Sequence, residues 1–314
     1  MELNLDATDK KLLGALIRNS RLPMAKLAKS AGVSREVATY RLQRLKDRGI
    51  LLDYVTEIDM EKMGYVGAAV FVATKTQRES EIREYLKNSP HICWVGEHVG
   101  IWDFGMSIFG KTIEEVDDKF RKMQEKFKDI IIDHRFTQHK RNHYYYEKLF
   151  GVPLSRPPPR GKPHSLDQTD KTLLRELALN SRSDYTHLSK KVPLTAQAIK
   201  KRIKTLESGG YIKKYTVFLD YSKLNIYQYS IFIVNKNVDD RRKLLAFLEE
   251  HQDVCFICEY IGDPFLEFGV FVDDPYKLRR IIRVIEESFP DNRIVEHSLQ
   301  KEFVSFGPAR CVFE

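Results

Sequence analysis

Leu5–Arg21 reads "LDATDKKLLGALIRNSR", and Leu166–Arg182 reads "LDQTDKTLLRELALNSR". The second stretch restates the first 161 residues on. That offset holds without a gap through "YRLQRLKDRGILLDY" and "KRIKTLESGGYIKKY", and it still pairs Lys75 with Lys236. Farther along, "CWVGEHVGIWDFGMSI" from Cys93 returns as "CFICEYIGDPFLEFGVFV" from Cys255, with about two extra residues after Gly262. A repeat on this scale governs the reading of everything else, because each copy must be one structural module.

Between the copies, Gly151–Ser165 reads "GVPLSRPPPRGKPHS", with five prolines and two glycines in fifteen residues. Such a segment holds neither a helix nor a central strand, so it is read as a semi-extended linker. The 314-residue chain exceeds one ordinary domain, and 42% hydrophobic residues suffice for real cores. A net charge of +8 favours an anionic partner such as nucleic acid. No run of about 18 apolar residues occurs and the first residues are polar, so a soluble, cytoplasmic protein is expected. Four cysteines, Cys93, Cys255, Cys258 and Cys311, are too sparse for a disulfide framework. Cys255 and Cys258 form a lone C-x-x-C in an apolar run, with no second pair at zinc-site spacing, and are read as buried strand thiols; no metal or cofactor is expected.

The first part of each module reads helical. Leu12, Leu13, Leu16 and Ile17 recur at helical spacing behind the start signal "DATD". "PMAKLAKSA" is a second, short helix with Pro23 in its first turn. Gly32 and Val33 make a tight turn, and Ser34 is placed to cap a third helix. On that helix Ala38, Leu42 and Leu45 form a stripe for burial, and Gly49 stops it. "ILLDYVTEID" follows as a strand, where a wing belongs. In copy two Thr195 is the cap and Ile199, Ile203 and Leu206 are the stripe. The pattern is a winged helix-turn-helix at residues 1–58 and again at 166–220.

The second part alternates as strand, helix, strand, strand, helix, strand: "GAAVFVAT", "ESEIREYLKNS", "HICWVGEHV", "WDFGMSIFG", "IEEVDDKFRKMQEKF", "DIIIDHRFTQ". This βαββαβ order is a ferredoxin-like sandwich, expected at 64–150 and, in copy two, at 226–314. The fold class is therefore α+β, in two tandem modules.

A winged helix-turn-helix followed by βαββαβ resembles the Lrp/AsnC family of transcriptional regulators. The resemblance is carried by "LDATDKKLLGALIRNSR", "LAKSAGVSREVATYRLQRLKDRGIL", the Gly64–Tyr65 pair and "GIWDFGMSI", and it covers both copies outside the linker. It implies double-stranded DNA as partner, homodimers or larger homo-oligomers through the ferredoxin-like domains, and a small-molecule effector such as an amino acid. The tandem arrangement departs from the family's single-module chain, and would let one polypeptide supply domains ordinarily paired between subunits. Symmetric pairing favours a pseudo-palindromic site with half-sites one helical turn apart, or a multiple.

In such a motif the third helix enters the major groove with its N-terminal residues at base edges. Ser34, Arg35, Glu36, Thr39 and Tyr40 then face DNA, with Arg35 able to contact a guanine bidentately. Arg41, Arg44 and Arg48 are expected on phosphates. Copy two offers Thr195, Gln197, Lys200, Lys201, Arg202 and Lys204. Val33–Gly49 holds five Lys/Arg against two acids and Leu194–Gly210 four against one, so both are net +3. Lysines act as point charges rather than planar readers, so copy one is expected to read sequence and copy two to add affinity. Pro193, standing where copy one has Gly32, makes the copy-two turn different.

The resemblance places an effector near the loop joining the second and third sandwich strands. Gly100, expected to permit an unusual turn, and Asp103, able to hold a ligand ammonium, lie there; the counterparts are Gly262, Asp263 and Glu267. A different class, the siroheme decarboxylases, shares this two-domain plan, and would call on His91, His98, His134, His139 and His143 with Arg135 and Arg141. Strand alternation sets His134 and His139 on opposite faces, and the basic helices would go unexplained. "TQHKRNHYYYEKLFG" from Thr137 carries three consecutive tyrosines; these cannot share one face, so packing is expected ahead of stacking on single strands. No P-loop, G-x-S-x-G, H-E-x-x-H or G-x-G-x-x-G occurs, and no catalytic residue is assigned.

Overall fold

The computed structural model describes residues 5–75, 78–155, 165–235, 238–304 and 310–313. Lys236 and most of the Pro-rich linker lie outside the described residues. Copy one runs α1 (Ala7–Arg18), α2 (Met24–Ala31), α3 (Arg35–Asp47), β1 (Leu51–Ile58), β2 (Val66–Thr74), α4 (Glu79–Asn88), β3 (Ile92–Val99), β4 (Phe104–Gly110), α5 (Ile113–Lys126) and β5 (Ile131–Tyr144). Copy two repeats the order as α6 (Gln168–Leu179), α7 (Tyr185–Ser189), α8 (Ala196–Ser208), β6 (Ile212–Leu219), β7 (Tyr227–Asn235), α9 (Val238–Glu250), β8 (Val254–Ile261), β9 (Leu266–Val272), α10 (Pro275–Ser288) and β10 (Asn292–Val304). None of these helices is long and apolar enough to cross a membrane.

Two compact units result, and each is built from both copies. The first holds the described parts of Met1–Tyr65, Val152–Asp220 and Ser305–Glu314; the second is Val66–Gly151 with Tyr221–Val304. In the first unit the strand expected as a wing has no hairpin partner among the described residues of its own copy. β1 instead pairs antiparallel with β6, Tyr54 opposite Val217 and Thr56 opposite Tyr215. A lone strand leaves its backbone groups unpaired, and the second copy supplies the complementary edge. The chain's end also belongs here rather than in the second sandwich. Arg310–Phe313 form a 3-10 turn, and Phe313 packs into the core of Leu173, Leu174 and Leu177 from α6.

In the second unit each copy shows the ferredoxin-like strand order, β3-β4-β2-β5 and β8-β9-β7-β10. The two sheets join edge to edge, β5 on β8 and β10 on β3, closing eight strands into one barrel. Closure removes every open edge. The outward faces are apolar under the helices: Val70, Phe104 and Met106 meet Val116 and Phe120 of α5, and Ile231 and Phe268 meet Ile281 and Ile285 of α10. Inside, Phe71 and Phe232 meet edge to face at 5.0 Å, and Arg135 donates to Glu296 at 2.8 Å. Members of both pairs are 161 residues apart, so the repeat has become an internal twofold. β5 runs on to Tyr144 along β8, which absorbs the tyrosine-rich stretch into its own sheet; Tyr146 is buried and donates to Glu302.

Candidate nucleic-acid interface

The helix-turn-helix of each copy is built by side-chain caps. The Asp6 carboxylate accepts from the Asp9 amide at 2.9 Å and starts α1. Ser34 Oγ accepts from Val37 N at 3.2 Å, and Thr195 Oγ1 from Ala198 N at 3.3 Å, starting α3 and α8. Each such cap is worth about 1 kcal/mol. Ala38, Leu42 and Leu45 are buried, as are Ile199, Ile203 and Leu206. The turns differ as the sequence implies. Gly32 closes α2 at φ 71, a conformation proline cannot adopt. With Pro193 in its place, α7 ends at Ser189 and a longer irregular turn leads to Thr195.

Two of the three expected phosphate contacts, and Arg202 of the copy-two set, are engaged elsewhere. Arg41 pairs with Asp6 at 2.5 Å and Asp9 at 3.0 Å, and Arg44 pairs with Asp9 at 2.6 Å. Arg202 does the same in copy two, to Asp167 at 2.7 Å and Asp170 at 2.9 Å. Asp9 and Asp170 are only 2% and 4% exposed, so these guanidiniums satisfy buried carboxylates and tie the third helix to the first. The side chains remain half-buried on the first unit rather than extended from it. Arg48 lies exposed at the helix end, beyond the first turns.

What projects is a set of tips. Arg35, Glu36, Thr39, Tyr40 and Gln43 are exposed on α3, and Gln197, Lys200, Lys201 and Lys204 on α8. Tyr40 is 68% exposed, high for an aromatic with no packing role. Thr39 Oγ1 donates back to Arg35 O at 2.8 Å. The Glu36 carboxyl is held below its usual range by its own backbone amide at the helix start, then by the Ser34 hydroxyl and the Arg35 charge. Among the described residues no ion pair engages Arg35, Lys200, Lys201 or Lys204.

The two motifs are clasped by reciprocal contacts. Ser20 and Ser181, both fully buried, share a hydrogen bond of 2.5 Å. Arg21 donates to Ser181 O at 2.5 Å and lies 5.3 Å from the Tyr215 ring; Arg182 donates to Ser20 O at 2.5 Å and lies 5.3 Å from the Tyr54 ring. Beside α3 a cleft of about 320 Å³ brings Thr39, Gln43 and Lys46 against Tyr54 and, from the other copy, Asn180 and Arg182.

A family model for the AsnC-type helix-turn-helix domain matches residues 5–46 and again 166–207. An HTH-type transcriptional regulator of Pyrococcus furiosus is 31% identical over 117 residues, covering 36% of this chain and 77% of that protein. The chain belongs to the Lrp/AsnC family. The HTH-type transcriptional regulator FL11 of Pyrococcus horikoshii is 29% identical over 119 residues, 38% of this chain and 79% of its own length. The siroheme decarboxylase NirDL superposes over 97% of this chain and 94% of its own, with a TM-score of 0.63 at 13% identity, a likeness of fold.

In this Lrp/AsnC chain the five residues expected to hold an effector have unlike surroundings. Asp103 Oδ2 accepts from the Thr74 amide at 2.6 Å and from its hydroxyl at 3.1 Å. Gly100 needs no left-handed backbone; its reason is close approach, since a Cβ there would lie 3.0 Å from Ser298 Cβ. Gly262 does adopt φ 107, and Asp263 beside it is exposed. Glu267 is 3% exposed inside the barrel, accepting from Ser230 and Tyr260. Burial pushes its carboxyl up to about 7.

The sequence reading missed Asp9 and Asp170, Ser20 and Ser181, and Arg21 and Arg182. Their signal was the repeated "TD" and "NSR", visible as identity between copies but silent about what each residue touches.

Proposed function

We propose that the chain is a sequence-specific regulator of transcription that binds double-stranded DNA through α3 and α8. One observation carries this: two capped helix-turn-helix motifs share one compact unit, and the cations at the tips of their third helices are left outside the internal ion pairs. Asp6, Asp9, Asp167 and Asp170 hold Arg41 and Arg202, while Arg35, Lys200, Lys201 and Lys204 stay exposed beside them. Fluorescence anisotropy against salt, on DNA selected from a random pool, tests it. Binding should weaken steeply with salt, and Arg35→Ala should weaken the selected site more than random DNA. Sequence-blind binding in the micromolar range would overturn the reading.

Response to a small molecule such as an amino acid is a finer part of the same proposal. Its support is the exposed Gly262–Asp263 corner and the family's regulators; a thermal shift against the amino acids tests it. The decarboxylase reading has the NirDL-like fold behind it. Against it, His98 is buried, bonded to Ser298 at 2.9 Å and pushed down to about 3 by burial, while Arg135 and Arg141 pair with Glu296 and Glu259. A Soret-region shift on adding siroheme would favour it.

A further inference from the structure

We infer that the chain binds DNA in one orientation, on a non-palindromic site whose two halves are recognised by different chemistry. The inference rests on the DNA-binding reading above and adds what each half-site is read by. The two motifs are related by the internal twofold seen in the β1–β6 register and in the paired Ser20–Ser181, Arg21 and Arg182 contacts. Three features that seat a third helix are repeated, namely the hydroxyl cap, the buried stripe and an arginine locked onto two aspartates, while the turn before it is not.

The tips are not repeated. At the five exposed positions, Arg35, Glu36, Thr39, Tyr40 and Gln43 in copy one face Ala196, Gln197, Lys200, Lys201 and Lys204 in copy two. Arg35 presents a planar fork that matches a guanine edge; Ala196 offers only a methyl. Glu36 can accept from a cytosine amine, whereas the three lysines are compact charges that match phosphate anywhere along a backbone. Gln197 is the bidentate amide reader of copy two, suited to adenine. Symmetric scaffolding with unlike tips fixes the half-site spacing as a palindrome would. It makes the sequence requirement strong on one side and weak on the other. Because both helices belong to one chain, the pair within that chain always joins one copy-one tip to one copy-two tip.

The test uses the full chain and selection from random duplex DNA, followed by anisotropy at several salt concentrations. The expected selected motif has one well-specified half and one half with little beyond an adenine. Arg35→Ala should reduce discrimination at one base pair about tenfold, leaving the salt slope nearly unchanged. The triple variant Lys200→Ala, Lys201→Ala, Lys204→Ala should lower the slope by about 2 to 3 and weaken all sequences alike. Its thermal midpoint, measured alongside, should match the parent because these side chains are exposed and outside the ion pairs of the described residues. A palindromic motif, or a triple variant that loses sequence preference in the second half-site, overturns the inference and leaves the regulator reading intact. A chain that selects no sequence removes that reading, and this inference with it.

Discussion

At the scale of single residues, the arginines of α3 divide by what they touch rather than by their place in a charge pattern. Asp9 is 2% exposed and receives both Arg41 and Arg44. Asp9→Ala takes the carboxylate from Arg44 and leaves Arg41 with Asp6 alone, and should cost about 3 kcal/mol in chemical denaturation. Arg35→Ala should change stability by no more than about 0.5 kcal/mol while weakening DNA binding. If Asp9→Ala were equally silent, the ion-paired cluster would be no more than surface charge. Glu267 gives a second prediction at this scale. Its carboxyl, raised to about 7 from 4.5 chiefly by burial, is helped upward by Glu296 and opposed by Ser230, Tyr260 and Arg135. Between those values the folded chain holds a proton that the unfolded chain has lost, so each pH unit of rise costs about 1.4 kcal/mol. The stabilisation is complete below the unfolded value and gone once pH passes about 7. His98, depressed to about 3, acts oppositely, losing stability as pH falls below 6.5. Comparing Glu267→Gln with the parent cancels the histidine contribution. The stability difference, parent minus variant, should fall from pH 5 to 7 and level off above; a flat difference would make Glu267 an ordinary carboxylate.

At the scale of elements, what could be read from the sequence was whatever depends on local chemistry. The caps Ser34 and Thr195, the stripes, the stop at Gly49 and the βαββαβ order are local, and the structure keeps them. β1 was legible as a strand but not as the partner of β6, because an alternation pattern names a face and not a neighbour. Gly100 was legible as special for the wrong reason: sequence shows a glycine, while only the fold shows Ser298 against it. Gly105 and Gly269 are similar, since a Cβ at Gly269 would run into the Phe256 ring and one at Gly105 would lie 2.7 Å from the Phe71 ring. The Ser20–Ser181 bond belongs to this scale, joining the loops after α1 and α6. Ser20→Ala leaves a buried hydroxyl without its partner and should cost about 1 to 3 kcal/mol, as should Ser181→Ala. The double variant should cost clearly less than the two summed, because neither hydroxyl is then stranded. Strict additivity in urea unfolding would mean that the two serines do not act as a pair.

At the scale of the whole molecule, the copies are joined by three strand seams, one in the first unit and two in the second. Each seam is a non-local pairing that a single-module chain could form only with another chain. The Pro-rich linker turns those pairings into intramolecular events, for which a short tether supplies an effective concentration in the millimolar range. Two separate polypeptides, residues 1–155 and 165–314, keep every residue of the seams and lose only that tether. Produced together, they should copurify as a one-to-one complex with the circular dichroism of the intact chain. Their unfolding should become concentration-dependent, with each tenfold dilution costing about 1.4 kcal/mol. At micromolar concentration the complex should be about 4 kcal/mol less stable than the intact chain, whose midpoint should stay fixed over the same dilution. Halves that purify apart, each with native dichroism and its own sharp transition, would show that the seams are contacts of convenience. Halves that recover full DNA binding only when mixed would place the function in the pairing itself, because each half then carries one recognition helix and half a clasp.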